Sequence, residues 1–171
     1  MGEKRKYSKK KKSSSIVLYV LLIIIIISTL SYFIIFNKKE IKSSFEKTVL
    51  DHTKTILSFD TRVPGEIGNK KTREYISNEL EKYGFSVTYD TFSQDTIIGK
   101  KVFTNIIATY KPRGKRRYIF SAHYDSKLFE NFKFLGATDS VVSCAMLLDF
   151  AKYINTLNLN SFDYEYILFN I

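Results

Sequence analysis

The chain has 171 residues, of which 44% are hydrophobic and 15% aromatic, enough to bury the core of one domain. Its formal charge of +10 is unevenly placed: residues 1–42 carry ten Lys and Arg against Glu3 and Glu40, so the rest of the chain is close to neutral at about +2. That distribution excludes a nucleic-acid-binding domain and an intrinsically disordered one, and a single cysteine, Cys144, excludes an intramolecular disulfide framework.

In chain order, the first element is Ile16 to Phe36, 21 residues without a charge and rich in Ile, Leu and Val. At about 1.5 Å of rise per residue such a helix spans roughly 30 Å, the hydrocarbon thickness of a bilayer. Seven basic residues precede it (Lys4, Arg5, Lys6 and Lys9 to Lys12) and three follow (Lys38, Lys39, Lys42). The stronger basic flank stays cytoplasmic. The organisation expected is therefore a basic cytoplasmic tail over residues 1–15, a transmembrane signal anchor over 16–36 and a lumenal domain over 37–171. A cleaved signal peptide is disfavoured because the apolar run exceeds a usual h-region and no small-x-small site closes it. Met1-Gly2 fails the myristoylation pattern, since position 6 is Lys6.

Beyond the anchor, helices and strands alternate. Ile41 to Ser58 reads as a helix leading to the turn at Pro64-Gly65. Asn69 can cap a second helix that carries Ile76, Leu80 and Tyr83 at i, i+4 and i+7 and ends at Gly84. His52, in the first helix, reads as a surface or packing residue. Phe85, Val87, Tyr89 and Thr91 alternate as a strand; Val102 to Tyr110 and Arg117 to Ala122 are two more, joined by a basic turn at Lys111 to Gly114. A helix from Ser140 to Ile154 places Val141, Cys144, Ala145, Leu148 and Ala151 on one face, which makes Cys144 a small buried hydrophobe. Tyr164 to Phe169 is a last buried strand. The pattern is a three-layer α/β/α architecture with a mixed central sheet.

The chemistry is concentrated between His123 and Ser140. His123-Tyr124-Asp125-Ser126-Lys127 closes an apolar strand, and Gly136-Ala137-Thr138-Asp139-Ser140 opens an apolar helix. An α/β sheet places its metal or catalytic groups at the carboxyl ends of strands and the amino ends of the following helices. His and Asp suit zinc. The spacing also admits a plain reading, in which His123 and Asp125 are a hydrogen-bonded strand end and Asp139 is a helix cap.

The motifs HYDSK and GATDSVVSCAMLLDFAK resemble those of the glutaminyl-peptide cyclotransferases, or glutaminyl cyclases, of the zinc aminopeptidase-like superfamily. The resemblance continues through Arg62-Val63-Pro64-Gly65, Thr72 to Ile76, Asp90 to Phe92 and Phe103 to Thr109, and so covers about residues 45 to 170. It implies the zinc aminopeptidase-like fold and cyclisation of the N-terminal Gln of peptide or protein substrates to pyroglutamate with release of ammonia. It also implies one zinc per complete domain, with Asp139 as its one ligand in this chain and His123, Asp125, Lys127 and Ser140 as supporting residues. The catalytic Glu and the remaining ligands are expected beyond Ile171, so the domain is expected to be partial and, by itself, inactive. Relatives often bridge the helix cysteine to a cysteine preceding the HYDSK His; here that position is Ala122. The resemblance leaves two alternatives: a membrane-anchored two-zinc aminopeptidase, in which His123 would be a ligand and Asp139 would bridge, and a non-catalytic membrane protein that keeps the fold. The expected setting is a single-pass type II membrane protein of the Golgi or endoplasmic reticulum, with no nucleic-acid partner.

Overall fold

The computed structural model describes residues 9–110, 116–156 and 164–170, with side chains described over 15–40, 44–110 and 118–156. Two compact units divide the chain, Met1–Ser44 and Phe45–Ile171. Helix α1 is Lys9–Leu57, so the separate helix expected from Ile41 is its continuation. Nothing between Phe36 and Phe45 breaks it, because that stretch holds neither Gly nor Pro. In the first unit Ile16 to Phe36 are exposed side chains, and among the described residues this is the one helix long and apolar enough to cross a membrane. Ser28 and Thr29 satisfy their hydroxyls within it by donating to the Ile25 carbonyl, at 2.9 and 3.0 Å.

The second unit is built around a four-stranded mixed sheet. Helix α2, Ile67–Lys82, is followed by β1 (Ser86–Thr96), β2 (Gly99–Tyr110), β3 (Arg116–Ala122), α3 (Val142–Thr156) and β4 (Tyr164–Asn170). The spatial order is β1-β2-β4-β3. β1 and β2 form an antiparallel hairpin, β2 and β4 are antiparallel, and β3 and β4 are parallel, with Tyr118 opposite Tyr166 and Ala122 opposite Asn170. β4 is therefore an interior strand paired on both sides, and among the described residues the edges are β1 and β3. The parallel pair needs a crossover, which α3 supplies.

One face of the sheet carries the core. Ile106, Ala108 and Tyr110 of β2 meet Ile76 and Leu80 of α2 and Leu148, Ala151 and Ile154 of α3, with Ile56 of α1 closing the cluster. All five residues assigned to the inner face of α3 are buried. Phe120 of β3 packs on Phe150 of α3 at 4.8 Å between ring centroids, whereas Ile119, pointing to the other face, is 59% exposed. Helices α2 and α3 pack on the core face, and among the described residues they supply one helical layer against the sheet; the side chains of β4 and the turn from Lys111 to Gly114 lie outside the described residues.

Two local details differ from expectation. Helix α2 begins at Ile67 after Glu66, which makes no side-chain cap, and Asn69 is a buried first-turn residue whose Nδ2 donates to the Arg62 carbonyl at 2.9 Å. Gly68 explains the early start. A Cβ there would sit 2.0 Å from the Thr61 carbonyl oxygen, so only glycine lets the helix approach the preceding turn so closely.

His52 is a packing residue, and its burial has a consequence. Its Nδ1 lies 2.6 Å from the Tyr75 hydroxyl, its Nε2 3.5 Å from that of Tyr83, and the side chain is nearly inaccessible. Burial lowers its pKa below the ordinary imidazole value; Glu79 of α2, Asp149 of α3 and Asp51 of α1 oppose that shift, and Lys152 of α3 adds to it. With the folded value below the unfolded one, His52 contributes stability that is complete above about pH 6.5 and is lost as pH falls through the folded value. Denaturant midpoints measured across that range should fall on acidification more steeply in the wild type than in His52→Asn, which keeps polar atoms near both tyrosines but cannot titrate there. Parallel pH profiles would remove His52 from the account.

Candidate active site

The site is assembled where β3 ends and α3 begins. β3 stops at Ala122, so the next three residues lie beyond the sheet: His123 half-exposed, Tyr124 buried and Asp125 partly exposed. Tyr124 locks this strand end to β2 by donating its hydroxyl to the Thr104 carbonyl at 2.7 Å. The next motif forms a wide turn, Ala137–Val141, before α3. Gly136 adopts a left-handed conformation (φ 56°), and Ser140 and Val141 both donate backbone N–H groups to its carbonyl, at 3.0 and 3.3 Å. Asp139 departs from helical geometry within this turn (φ −116°, ψ 80°). Its carboxylate consequently stands out from the helix start, 65% exposed.

The two motifs converge on His123. Its Nδ1 is 3.0 Å from Asp125 Oδ1 and its Nε2 3.0 Å from Asp139 Oδ1. A protonated imidazole donates from both nitrogens, so the ring can orient the two carboxylates together. From below, Ser140 donates its hydroxyl to the Asp125 carbonyl at 3.0 Å and the Cys144 thiol donates to the His123 carbonyl at 3.1 Å. Thus the wide turn and the first turn of α3 together hold the backbone of the strand end. Cys144 is buried as expected, and its sulfur has this additional polar role. Lys127 is not drawn into the cluster; its ammonium lies over the Phe129 ring, 5.0 Å from the centroid.

Arg62, which sequence reasoning picks out only as part of the Arg-Val-Pro-Gly run, proves to be the joint between the motifs. It is fully buried. Its Nε donates to the Tyr124 carbonyl at 2.7 Å, Nη1 to the Leu135 carbonyl at 2.8 Å and Nη2 to the Gly136 carbonyl at 3.4 Å. Its backbone is paired as well, the N–H to Ser126 Oγ at 2.8 Å and the carbonyl to the Ser126 N–H at 3.2 Å. Burial lowers the Arg62 pKa from its ordinary value, while Cys144, Asp125 and Asp139 pull it back up. A guanidinium remains charged under such a shift. An arginine in a run of turn residues gives no sign of burial, and only the arrival of Leu135 and Gly136 from more than 70 positions away creates its acceptors.

A zinc ion suits the carboxylate of Asp139, which is anchored through one oxygen and otherwise largely exposed. The described residues do not complete a ligand set, since no three His, Cys, Asp or Glu side chains among them are grouped to hold a metal ion. His123, Asp125 and Asp139 form a line with the imidazole in the middle rather than three donors facing one point.

This mixed sheet with its helices matches zinc aminopeptidase-like structures, and residues 105–168 match the model of peptidase family M28. Within that superfamily, the chain's homologues are glutaminyl-peptide cyclotransferases. It is 38% identical over 134 residues to the glutaminyl-peptide cyclotransferase of Dictyostelium discoideum, an alignment covering 67% of this chain and 36% of that protein. The crystal structure of Macrostomum lignano glutaminyl cyclase superposes with a TM-score of 0.63 at 31% identity, covering 72% of this chain and 37% of that one. A leucine aminopeptidase precursor from Bacteroides thetaiotaomicron superposes with a TM-score of 0.64 at 25% identity, over 72% of this chain and 46% of that one. The chain thus spans about a third of the length of the curated relatives it matches.

Replacing Arg62 should therefore cost more than any exposed charge. Arg62→Met takes the guanidinium donor from the Tyr124 and Leu135 carbonyls, while the Gly136 carbonyl keeps the backbone N–H groups of Ser140 and Val141; at about 1–3 kcal/mol for each buried group left unpaired the domain should lose roughly 2 kcal/mol or more in chemical denaturation. Gly136→Ala should also destabilise, because its Cβ would meet the Asp139 carbonyl oxygen at 2.1 Å in a left-handed backbone. Amide exchange should quicken over residues 124–140 in both variants; unchanged protection there would contradict the role given to Arg62.

Proposed function

We propose that this chain supplies the His123–Asp139 side of a glutaminyl-peptide cyclotransferase active site. The substrates are peptides or proteins with an N-terminal Gln. The α-amine attacks the side-chain amide carbon, the new C–N bond closes pyroglutamate, and the old one breaks to release ammonia. The observation that carries this reading is the contact between His123 Nε2 and Asp139 Oδ1, which unites the two family motifs at one sheet edge, in a chain similar over most of its length to glutaminyl-peptide cyclotransferases. Membership of residues 105–168 in family M28 supports zinc as the cofactor. When bound, zinc polarises the amide carbonyl of the substrate.

Asp139 is the proposed metal ligand in this stretch. His123 holds it by one oxygen, and Asp125 fixes the His123 ring from the other nitrogen. Ser140 positions Asp125 through the backbone, and Lys127 stands at the exposed rim. In the full-length polypeptide, Asp139→Ala should abolish zinc retention and cyclisation, and Asp139→Asn should lose most of the affinity because the charge is gone. His123→Ala should lower zinc affinity by about 10–100-fold, the usual effect of removing a group that orients a ligand. Metal content by atomic absorption and ammonia release from a Gln-initiated peptide are the measurements. Equal loss of metal in His123→Ala and Asp139→Ala would overturn the cyclase assignment in favour of an aminopeptidase with His123 as a direct ligand.

The exposed apolar stretch Ile16 to Phe36 is proposed as a type II signal anchor, with residues 1–15 cytoplasmic and the domain in the lumen of the secretory pathway. A tag at the C-terminus should resist protease in sealed microsomes until detergent is added, and its digestion in intact vesicles would reverse the topology.

A further inference from the structure

The β1–β2 hairpin ends in a turn that folding alone does not explain. Thr96 pairs with Gly99, leaving Ile97 and Ile98 as a two-residue loop. Such loops favour Asn, Asp and Gly. Here Gly99 alone takes the left-handed conformation (φ 92°), and Thr96 closes the turn by donating its hydroxyl to the Gly99 carbonyl at 2.6 Å and accepting the Ile98 N–H at 3.3 Å. The turn therefore requires nothing apolar of its two central residues. Ile97 is nevertheless completely exposed, Ile98 is 42% exposed and Val102, three residues into β2, is 52% exposed. Lys100 and Lys101 lie between them on opposite faces of the hairpin, opposite Asp95 and Gln94.

We propose that this hairpin tip inserts into the polar–apolar interface of a lipid bilayer, with Ile97 and Ile98 among the upper acyl chains and Lys100 and Lys101 reaching back to anionic headgroups. The inference rests on the anchor reading of Ile16 to Phe36. Eight residues, 37–44, separate that segment from Phe45 at the start of the domain unit. Even fully extended they reach less than about 30 Å, so an inserted helix keeps the domain at the membrane surface. A tether of that length makes the bilayer the most concentrated apolar partner the tip meets. Two adjacent aliphatic side chains with two lysines following on the β2 side, set against the single carboxylate of Asp95 on the β1 side, suit that partner, because aliphatic groups enter the acyl boundary while lysine stems extend along it and leave the charge in water.

The 171 residues contain no tryptophan, so Ile97→Trp creates the single emitter of this chain. Reconstituted in phosphatidylcholine–phosphatidylserine vesicles, the Ile97→Trp variant should emit to the blue of a water-exposed indole and lose about half or more of its emission when brominated lipid replaces the ordinary lipid, as interfacial burial requires. Tyr153→Trp, at an exposed position on α3, should show neither effect. Phe33→Trp reports the anchor separately. Quenching in Phe33→Trp without quenching in Ile97→Trp overturns the hairpin proposal and leaves the anchor; the reverse keeps the hairpin contact and removes the anchor. Absence of quenching in both variants removes both. Equal quenching in Tyr153→Trp and Ile97→Trp, or a blue shift in Ile97→Trp that needs no vesicles and disappears on dilution, assigns the tip to general adsorption or to a second copy of the chain and overturns the proposal.

Discussion

The buried guanidinium of Arg62 is the constraint on which the site depends. Removing that charge from water is costly, and it is tolerated because three backbone carbonyls receive its N–H groups in the fixed fork that only arginine offers. Those carbonyls belong to Tyr124, Leu135 and Gly136, the end of one motif and the beginning of the other. Arg62 thereby spans the two ends of the loop that separates them. Its own backbone is held by Ser126 and Asn69, so the support runs in both directions. A lysine could not reproduce this, since a single ammonium cannot reach three separated acceptors in one plane.

With the loop ends tied, the start of α3 can be used for position rather than for stability. Helices commonly begin with an aspartate that caps its own first turn. Asp139 makes no such cap; the Gly136 carbonyl takes the backbone N–H groups of Ser140 and Val141, and the carboxylate is left outward against His123. Ser140 and Cys144, one turn apart, then grip the Asp125 and His123 carbonyls. Cys144 makes this joint through a thiol hydrogen bond to the carbonyl of His123, the residue that follows Ala122. The strand end stays held to the helix, and the joint does not depend on oxidation.

The sheet around the site has its own logic of assembly. β4 enters between β2 and β3, completing the antiparallel pairing on one side and the parallel pairing on the other. β3 and β2, consecutive in sequence, are thus never neighbours, and the position of His123 beyond β3 depends on a strand that arrives more than 40 residues later. Long-range pairing of this kind carries a larger loop-closure cost than the local hairpin β1–β2.

Much of this was legible in the residues themselves. The 21-residue apolar run, the strands at Val102 to Tyr110 and Arg117 to Ala122, the inner face of α3 and the two chemical motifs are all local patterns, and local patterns survive without a tertiary context. Asn69 differs from its expected place because a capping residue and a buried first-turn amide look the same in sequence; the close approach of Gly68 to Thr61 decides between them. The order β1-β2-β4-β3, the two ring contacts of His123 and the role of Arg62 were not available at all. The sequence by itself determined which residue types could do chemistry and which faces had to be buried, because composition and period carry that information. Which carbonyls lie within reach of a guanidinium, and which carboxylates flank an imidazole, only the tertiary structure decided, because those distances depend on segments separated by tens of residues along the chain.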